Sequence, residues 1–210
     1  MADAWPAPVA STLVAKGRDG TVLRLTSPDG KTYICKEFKS PTKAECEARL
    51  LGVIDGRGAP KLLGTDMPRK RVYIEDLKGF VPLPELARTL DLGPDEEYPV
   101  AVQTNIEAAY SMIQGELGVT NNDSNLYNVM VHPERYDVKI IDYAAGKMLS
   151  KKRRKDPATA EIAGANVSLW TLMPRMKTVM GPSVIRLRQV YRDRKLEDSW
   201  LYTPVMQQLF

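Results

Sequence analysis

Two short β-prone runs, Val22-Leu23-Arg24-Leu25 and Tyr33-Ile34-Cys35-Lys36-Glu37-Phe38, flank Ser27-Pro28-Asp29-Gly30. A Pro-Asp-Gly turn between such runs predicts a β-hairpin, with Gly30 at positive φ. The first ten residues carry two prolines and little pattern, and are expected to form a loose leader. Thr42-Lys43-Ala44-Glu45 has the form of a capping box. It predicts a helix with Ala44, Ala48 and Leu51 on one face, weakened and ended by Gly52, Gly56 and Gly58. Lys61-Leu62-Leu63 and Arg71-Val72-Tyr73-Ile74-Glu75 read as two further strands around a polar turn at residues 66–70. The first third is therefore expected to be β-β-α-β-β and mostly antiparallel.

The middle of the chain changes character. Residues 81–99 are Pro-rich, with a short helix expected over 85–90. Val102, Ile106, Ala109, Ile113 and Leu117 recur at helical spacing, and Gly118 is placed to end that helix. Asn128-Val129-Met130-Val131 and Val138-Lys139-Ile140-Ile141 predict a second hairpin around a turn at 133–137. Helices are expected over 166–173 and 183–194, interrupted by Pro174 and Pro182. A small β-rich N-terminal part would join a mainly helical C-terminal part through Glu75-Asp76-Leu77-Lys78. Clefts at such junctions are common ligand sites.

Composition narrows the chemistry. A chain of 210 residues, 43% hydrophobic, is long enough to bury a substantial core. No apolar run approaches the roughly 18 residues of a membrane span, and the N-terminus lacks the pattern of a signal peptide. Cys35 and Cys46 are too few for a disulfide framework and read as reduced thiols. A cytoplasmic or other intracellular location is expected, although an injected effector would look the same. The single histidine, His132, disfavours Ser-His-Asp and Cys-His triads and excludes multi-His zinc sites. Chemistry must then rest on Lys, Asp, Glu and Asn. Net charge is +4, with one dense cluster, Lys151-Lys152-Arg153-Arg154-Lys155. The cluster reads as a solvated loop, or as a docking patch for an acidic partner.

Strict alternation places Lys36 on the same strand face as Ile34 and Phe38. An ammonium among apolar side chains needs a partner, and Glu47 on the following helix is a candidate. The alternative is a surface lysine on an edge strand. Gly17-Arg18-Asp19-Gly20 between β-prone segments would let backbone amides approach an anion, or would be an ordinary turn. Asp123, Asn128 and Asp142 lie in polar loops or at strand ends, where an acid or amide is often only a turn former.

Taken together, these features resemble the protein-kinase signature set in order and spacing. Ala15-Lys16-Gly17-Arg18-Asp19-Gly20-Thr21-Val22 resembles the glycine-rich loop, with Ala15 at the first glycine position. Tyr33-Ile34-Cys35-Lys36 resembles the Val-Ala-Ile-Lys strand, and Glu47-Ala48-Arg49-Leu50-Leu51 the helix-C glutamate segment. Val72-Tyr73-Ile74-Glu75-Asp76-Leu77 resembles the fifth strand and hinge. Gly118-Val119-Thr120-Asn121-Asn122-Asp123 with Asn128 resembles the catalytic loop, and Ile140-Ile141-Asp142-Tyr143-Ala144 the Asp-Phe-Gly motif. The resemblance covers residues 13–146 and fades beyond.

The resemblance implies an α+β, two-lobed protein-kinase-like fold in a single domain over 1–210. The small antiparallel β-rich N-lobe would span about 11–74, the hinge 75–78, and a reduced, mainly helical C-lobe about 79–210. It implies an ATP-dependent phosphotransferase using Mg-ATP. The amides of Gly17 and Gly20, with Val22 and Lys36, would hold the nucleotide, Lys36 being placed by Glu47. Glu75 and Leu77 would read adenine through their backbone, with Ile74 limiting the pocket's depth. Asn128 and Asp142 would bind Mg²⁺ through oxygen. Asp123 would orient the acceptor hydroxyl and take its proton.

The chain departs from the family pattern in several places. Asn121 and Asn122 replace His-Arg, which removes the cation that receives an activation-loop phosphate. Asn125 stands where Ser/Thr kinases carry lysine, and Tyr143-Ala144 replaces Phe-Gly. No Ala-Pro-Glu motif occurs in residues 145–210. The expected function is a minimal protein kinase acting on Ser/Thr or Tyr, monomeric, with a protein substrate and without nucleic acid. A small-molecule kinase of the aminoglycoside or choline type, a pseudokinase binding module, and AMP transfer remain as alternatives.

Overall fold

A computed structural model describes residues 7–92, 98–121 and 126–149. The helices expected over 166–173 and 183–194, and the basic cluster at 151–155, lie outside the described residues. The chain is a mixed α+β structure built on an antiparallel sheet with a few helices.

Three strands come first: β1 (Ala10–Lys16), β2 (Gly20–Thr26) and β3 (Thr32–Phe38). The expected β2–β3 hairpin forms, with Gly30 at φ 80°. β1 is an addition to the expected order. Its residues are all exposed, so the burial alternation that marks a strand in sequence is absent. Helix α1 (Pro41–Ile54) follows, then β4 (Leu62–Asp66), a 3₁₀ turn at Met67–Arg69, and β5 (Arg71–Glu75). The five strands pair in the order β1-β2-β3-β5-β4. Lys36 therefore stands on an interior strand, and the edge-strand alternative falls.

The start of α1 differs from expectation. Its N-cap is Ser40, in extended conformation and without a side-chain cap bond, and Pro41 occupies the first turn. Proline's fixed φ suits the first helical position and lacks only an N–H that would be orphaned anyway. Thr42 and Glu45 thus fall inside the helix rather than forming a capping box at its edge. Gly52 does not end the helix, which runs on to Ile54; Asp55 in the left-handed region closes it, followed by Gly56 at φ 76°. The expected apolar face is present, with Ala44, Ala48 and Leu51 buried, joined by Leu50 and Ile54. Each of the larger side chains contributes about 1.5–3 kcal/mol on burial.

The remaining elements are short. β6 (Val81–Pro82) leads into α2 (Leu83–Thr89), and α3 (Val100–Tyr110) continues through a π-helical turn at Ser111–Glu116. Val102, Ile106, Ala109 and Ile113 are buried as their spacing predicts. β7 (Val119–Thr120), β8 (Val129–Val131), β9 (Val138–Ile140) and β10 (Lys147–Met148) complete the described set. β6-β8-β9 form a small antiparallel sheet and β7 pairs with β10. Among the described residues, no helix is long and apolar enough to cross a membrane.

Alternation along β3 and β5 separates two cores. Ile34, Phe38, Val72 and Ile74 face α1 and a cluster that continues through Leu83, Val102, Ile106, Val129, Ile140 and Tyr143. Tyr33, Cys35 and Tyr73 face the other way and pack with Leu25. Lys36 shares the first face.

Gly146 lies against α1, its carbonyl accepting from Cys46 Sγ at 3.3 Å. A Cβ there would collide with the Thr120 carbonyl and the Leu50 side chain. Gly146→Ala is therefore expected to destabilise the protein by about 1–3 kcal/mol, the usual effect of overpacking. Urea unfolding checks this, and an unchanged midpoint would contradict the packing described.

Candidate functional site

Lys36 is the centre of the candidate site. β3 carries it between β2 and β5, opposite Val22 and Val72. Its Nζ donates to Glu47 Oε1 at 2.6 Å and to Asp142 Oδ1 at 3.4 Å. The Phe38 ring lies beneath the ammonium, 5.8 Å from its centroid. Glu47 reaches Lys36 from the buried face of α1 and is only 1% exposed. Its second oxygen, Oε2, accepts the Tyr143 N–H at 2.8 Å. Both oxygens of one buried carboxylate are thereby satisfied, one by a cation and one by a backbone donor.

Burial works against charge on both partners. It pushes the Glu47 carboxyl above the ordinary range, opposed by the Lys36 ammonium and the Tyr143 amide. For Lys36, burial is outweighed by the Glu47 and Asp142 carboxylates, which hold the ammonium above the usual lysine range.

Asp142 follows β9 and takes φ 65°, in the left-handed region. Non-glycine residues seldom adopt that conformation, and such strain concentrates at functional sites. The turn brings the carboxylate, 42% exposed, to the cleft side of Lys36. Ile141 N donates to Asn128 O at 2.8 Å, so the segment carrying Asp142 runs beside Asn128, which is buried. Asp123 lies outside the described residues.

The glycine loop closes the other side. Gly17 N donates to Gly20 O at 2.9 Å, and Lys16 pairs with Thr21. The Gly17 amide is thus spent inside the turn, which corrects the expectation that it would face an anion. Gly20 lies so near β3 that a Cβ would overlap the Glu37 carbonyl. Asp19 pairs with Lys43 of α1 at 2.6 Å, and this bond holds its carboxyl below the ordinary range. A cleft of about 490 Å³ opens here, walled by Gly17, Gly20, Val22, Lys36 and Asp142.

At the far end of the sheet, Glu75 is tied to Lys61. Its N–H donates to Lys61 O at 2.9 Å, and its carboxylate accepts the Lys61 N–H at 3.1 Å. The Glu75 side chain lines a separate pocket with Arg57 and Phe80. The Leu77 carbonyl accepts from Phe80 N at 3.2 Å. Among the described residues the Leu77 N–H makes no bond, which leaves a donor at this segment. Ile74 is buried opposite Ile34.

The structure thus gathers Lys36, Glu47 and Asp142 in direct contact, with Val22, Gly17 and Gly20 above them and Asn128 alongside Ile141. Among the described residues, no three His, Cys, Asp or Glu side chains gather as a metal site. A hard cation here would rest on Asp142 and Asn128, with a ligand's own oxygens completing its shell. Sequence reasoning missed the Asp142–Lys36 contact and the role of the Tyr143 amide, since neither backbone direction nor a left-handed turn is legible in residue types.

Compared with known proteins, the chain matches no family model and no curated relative.

The Tyr143 hydroxyl is fully buried and has no hydrogen-bond partner among the described residues; burial pushes its ionisation well above the ordinary range. An unsatisfied buried hydroxyl costs about 1–3 kcal/mol. Tyr143→Phe keeps the ring and the N–H to Glu47, so it is expected to raise stability by about 1 kcal/mol. Thermal unfolding checks this; a lowered midpoint would mean that the hydroxyl contributes a bond.

Proposed function

We propose that the chain is a compact, two-lobed, protein-kinase-like phosphotransferase that uses Mg·ATP and acts on a protein hydroxyl. The observation that carries this reading is the contact of Lys36 Nζ with both Glu47 and Asp142. Lys36 and Asp142, 106 residues apart, line one cleft, and Glu47 of the helix backs the lysine from the buried side. A merely structural lysine would be served by Glu47 alone. A second, half-exposed carboxylate beside it makes a site with cation and anion facing the same space.

The residues present fit the group they would hold. Phosphoryl transfer calls for alignment and charge neutralisation rather than covalent catalysis. When bound, Mg·ATP supplies the phosphoryl group and the divalent cation that offsets its charge. Lys36 offers a fixed positive charge, since Glu47 leaves its ammonium little freedom to swing away. Asp142 and Asn128 offer oxygen donors of the kind a hard cation prefers. The Arg18 and Asp19 amides remain for anion contact once Gly17 is discounted. The Leu77 N–H is a free donor for a base edge. Asp123 would accept the proton that the acceptor hydroxyl gives up as the phosphoryl group passes to its oxygen and ADP is released.

In this reading residues 11–74 form the N-lobe, 75–78 the hinge and 79–210 the C-lobe of a single domain. The acceptor in this reading is a protein Ser/Thr or Tyr hydroxyl.

Purified full-length protein incubated with Mg²⁺, γ-labelled ATP and a cell lysate is expected to transfer label to protein. Asp142→Ala and Asp123→Ala should each lower transfer by at least about a hundredfold while remaining folded. Undiminished transfer in both variants would refute the assignment of roles.

A further inference from the structure

The proposed site leaves one ionic cluster unused, a buried carboxylate held by a half-exposed arginine at the opposite end of the sheet from the glycine loop. Asp76, directly after β5, is 2% exposed in its side chain. Arg24 grips it with a two-pronged fork, Nε to Oδ2 at 3.0 Å and Nη2 to Oδ1 at 3.1 Å. Thr32 Oγ1 donates to Oδ2 at 2.7 Å. The two strands of the β2–β3 hairpin and the distant 75–78 connection are therefore tied through one carboxylate.

The placement of the fork is informative. Val22 pairs with Lys36 and Arg24 pairs with Ile34. Alternation then sets Arg24 on the same face of β2 as Val22, one step further from the glycine loop. That face carries Lys36 at the phosphate end of the proposed cleft. Arg24 and Asp76 consequently stand at its base end, beside the segment that holds the Leu77 N–H. A guanidinium fork restricts a carboxylate in plane and direction, unlike a single charge contact. Burial of Asp76 makes the arrangement costly to break, because an unpaired buried carboxylate is strongly disfavoured.

We propose that Arg24, Asp76 and Thr32 form a clamp that fixes the 75–78 connection against the sheet, so that its backbone is held ready to read a nucleotide base. Arg24 and Thr32 are positioning residues: they act through Asp76 and the connection, and the triphosphate end of the site is independent of them. The inference rests on the nucleotide reading above and deepens it by assigning base recognition to a defined side-chain network. Holding a recognition segment in its bound conformation raises affinity by removing the ordering penalty on binding.

The two ends of the site can be read separately by titrating the full chain with Mg·ATP and with magnesium tripolyphosphate. In Arg24→Met, ATP affinity is expected to fall about tenfold, within the usual range of coupling in such networks. Tripolyphosphate affinity should stay within about twofold, because Lys36 and the glycine loop are untouched. Thr32→Val should move ATP affinity in the same direction by less. Arg24→Lys, which keeps the charge but loses the fork, should fall between wild type and Arg24→Met. If Arg24→Met does not fold, Thr32→Val and Arg24→Lys carry the test.

Unchanged ATP affinity in the folded variants would overturn the clamp. So would equal weakening of both ligands, the signature of a purely structural staple. A wild-type chain that binds neither ligand would remove the nucleotide reading, and the clamp with it. A wild type that binds both, with variants that lose neither, would sink the clamp alone.

Discussion

The buried ammonium of Lys36 is the constraint around which the described structure is arranged. An amphipathic strand brings it to the core face among Ile34, Phe38, Val72 and Ile74. An unpaired charge there would be untenable, so another element must bring a carboxylate. α1 does so from the one polar position on its buried face, Glu47. Removing one partner of such a pair typically costs about 3–5 kcal/mol. The packing of α1 against the sheet and the ionic pair therefore stabilise each other.

Glu47 extends the arrangement beyond the sheet. Its second oxygen captures the Tyr143 amide, and Cys46, its neighbour, donates through Sγ to the Gly146 carbonyl at 3.3 Å. The segment after β9 is thus held against α1, and Asp142 is turned into the left-handed region beside Lys36. A local electrostatic need on one strand in this way organises a segment about a hundred residues away. The cleft in front of Lys36 exists because these tethers leave Asp142 half-exposed rather than packed.

Much of this was legible in the sequence, for physical reasons that differ from place to place. The β2–β3 hairpin, α3 and the β8–β9 hairpin announce themselves by period and by turn residues. Lys36 announced a need for a partner, because its alternation with Ile34 and Phe38 was plain. β1 was not legible, since an exposed edge strand has no buried face to leave a pattern. The start of α1 was misplaced because Thr42 and Glu45 fit a capping box, while Pro41 sets the first turn. The Gly17 amide could not be judged, as its bond to Gly20 depends on loop geometry. The Arg24 fork was hidden too: a single arginine in a β-prone run does not disclose a carboxylate 52 residues away.

The central claim is that Lys36, held by Glu47, faces a nucleotide in the cleft it lines with Asp142. It is tested most directly by a lysine-acylating ATP analogue, with the labelled peptides read by mass spectrometry in the presence and absence of excess Mg·ATP. The account predicts that Lys36 is labelled and that ATP suppresses this label while surface lysines such as Lys31 are unaffected. An unlabelled Lys36, or labelling there that excess ATP leaves unchanged, would contradict it.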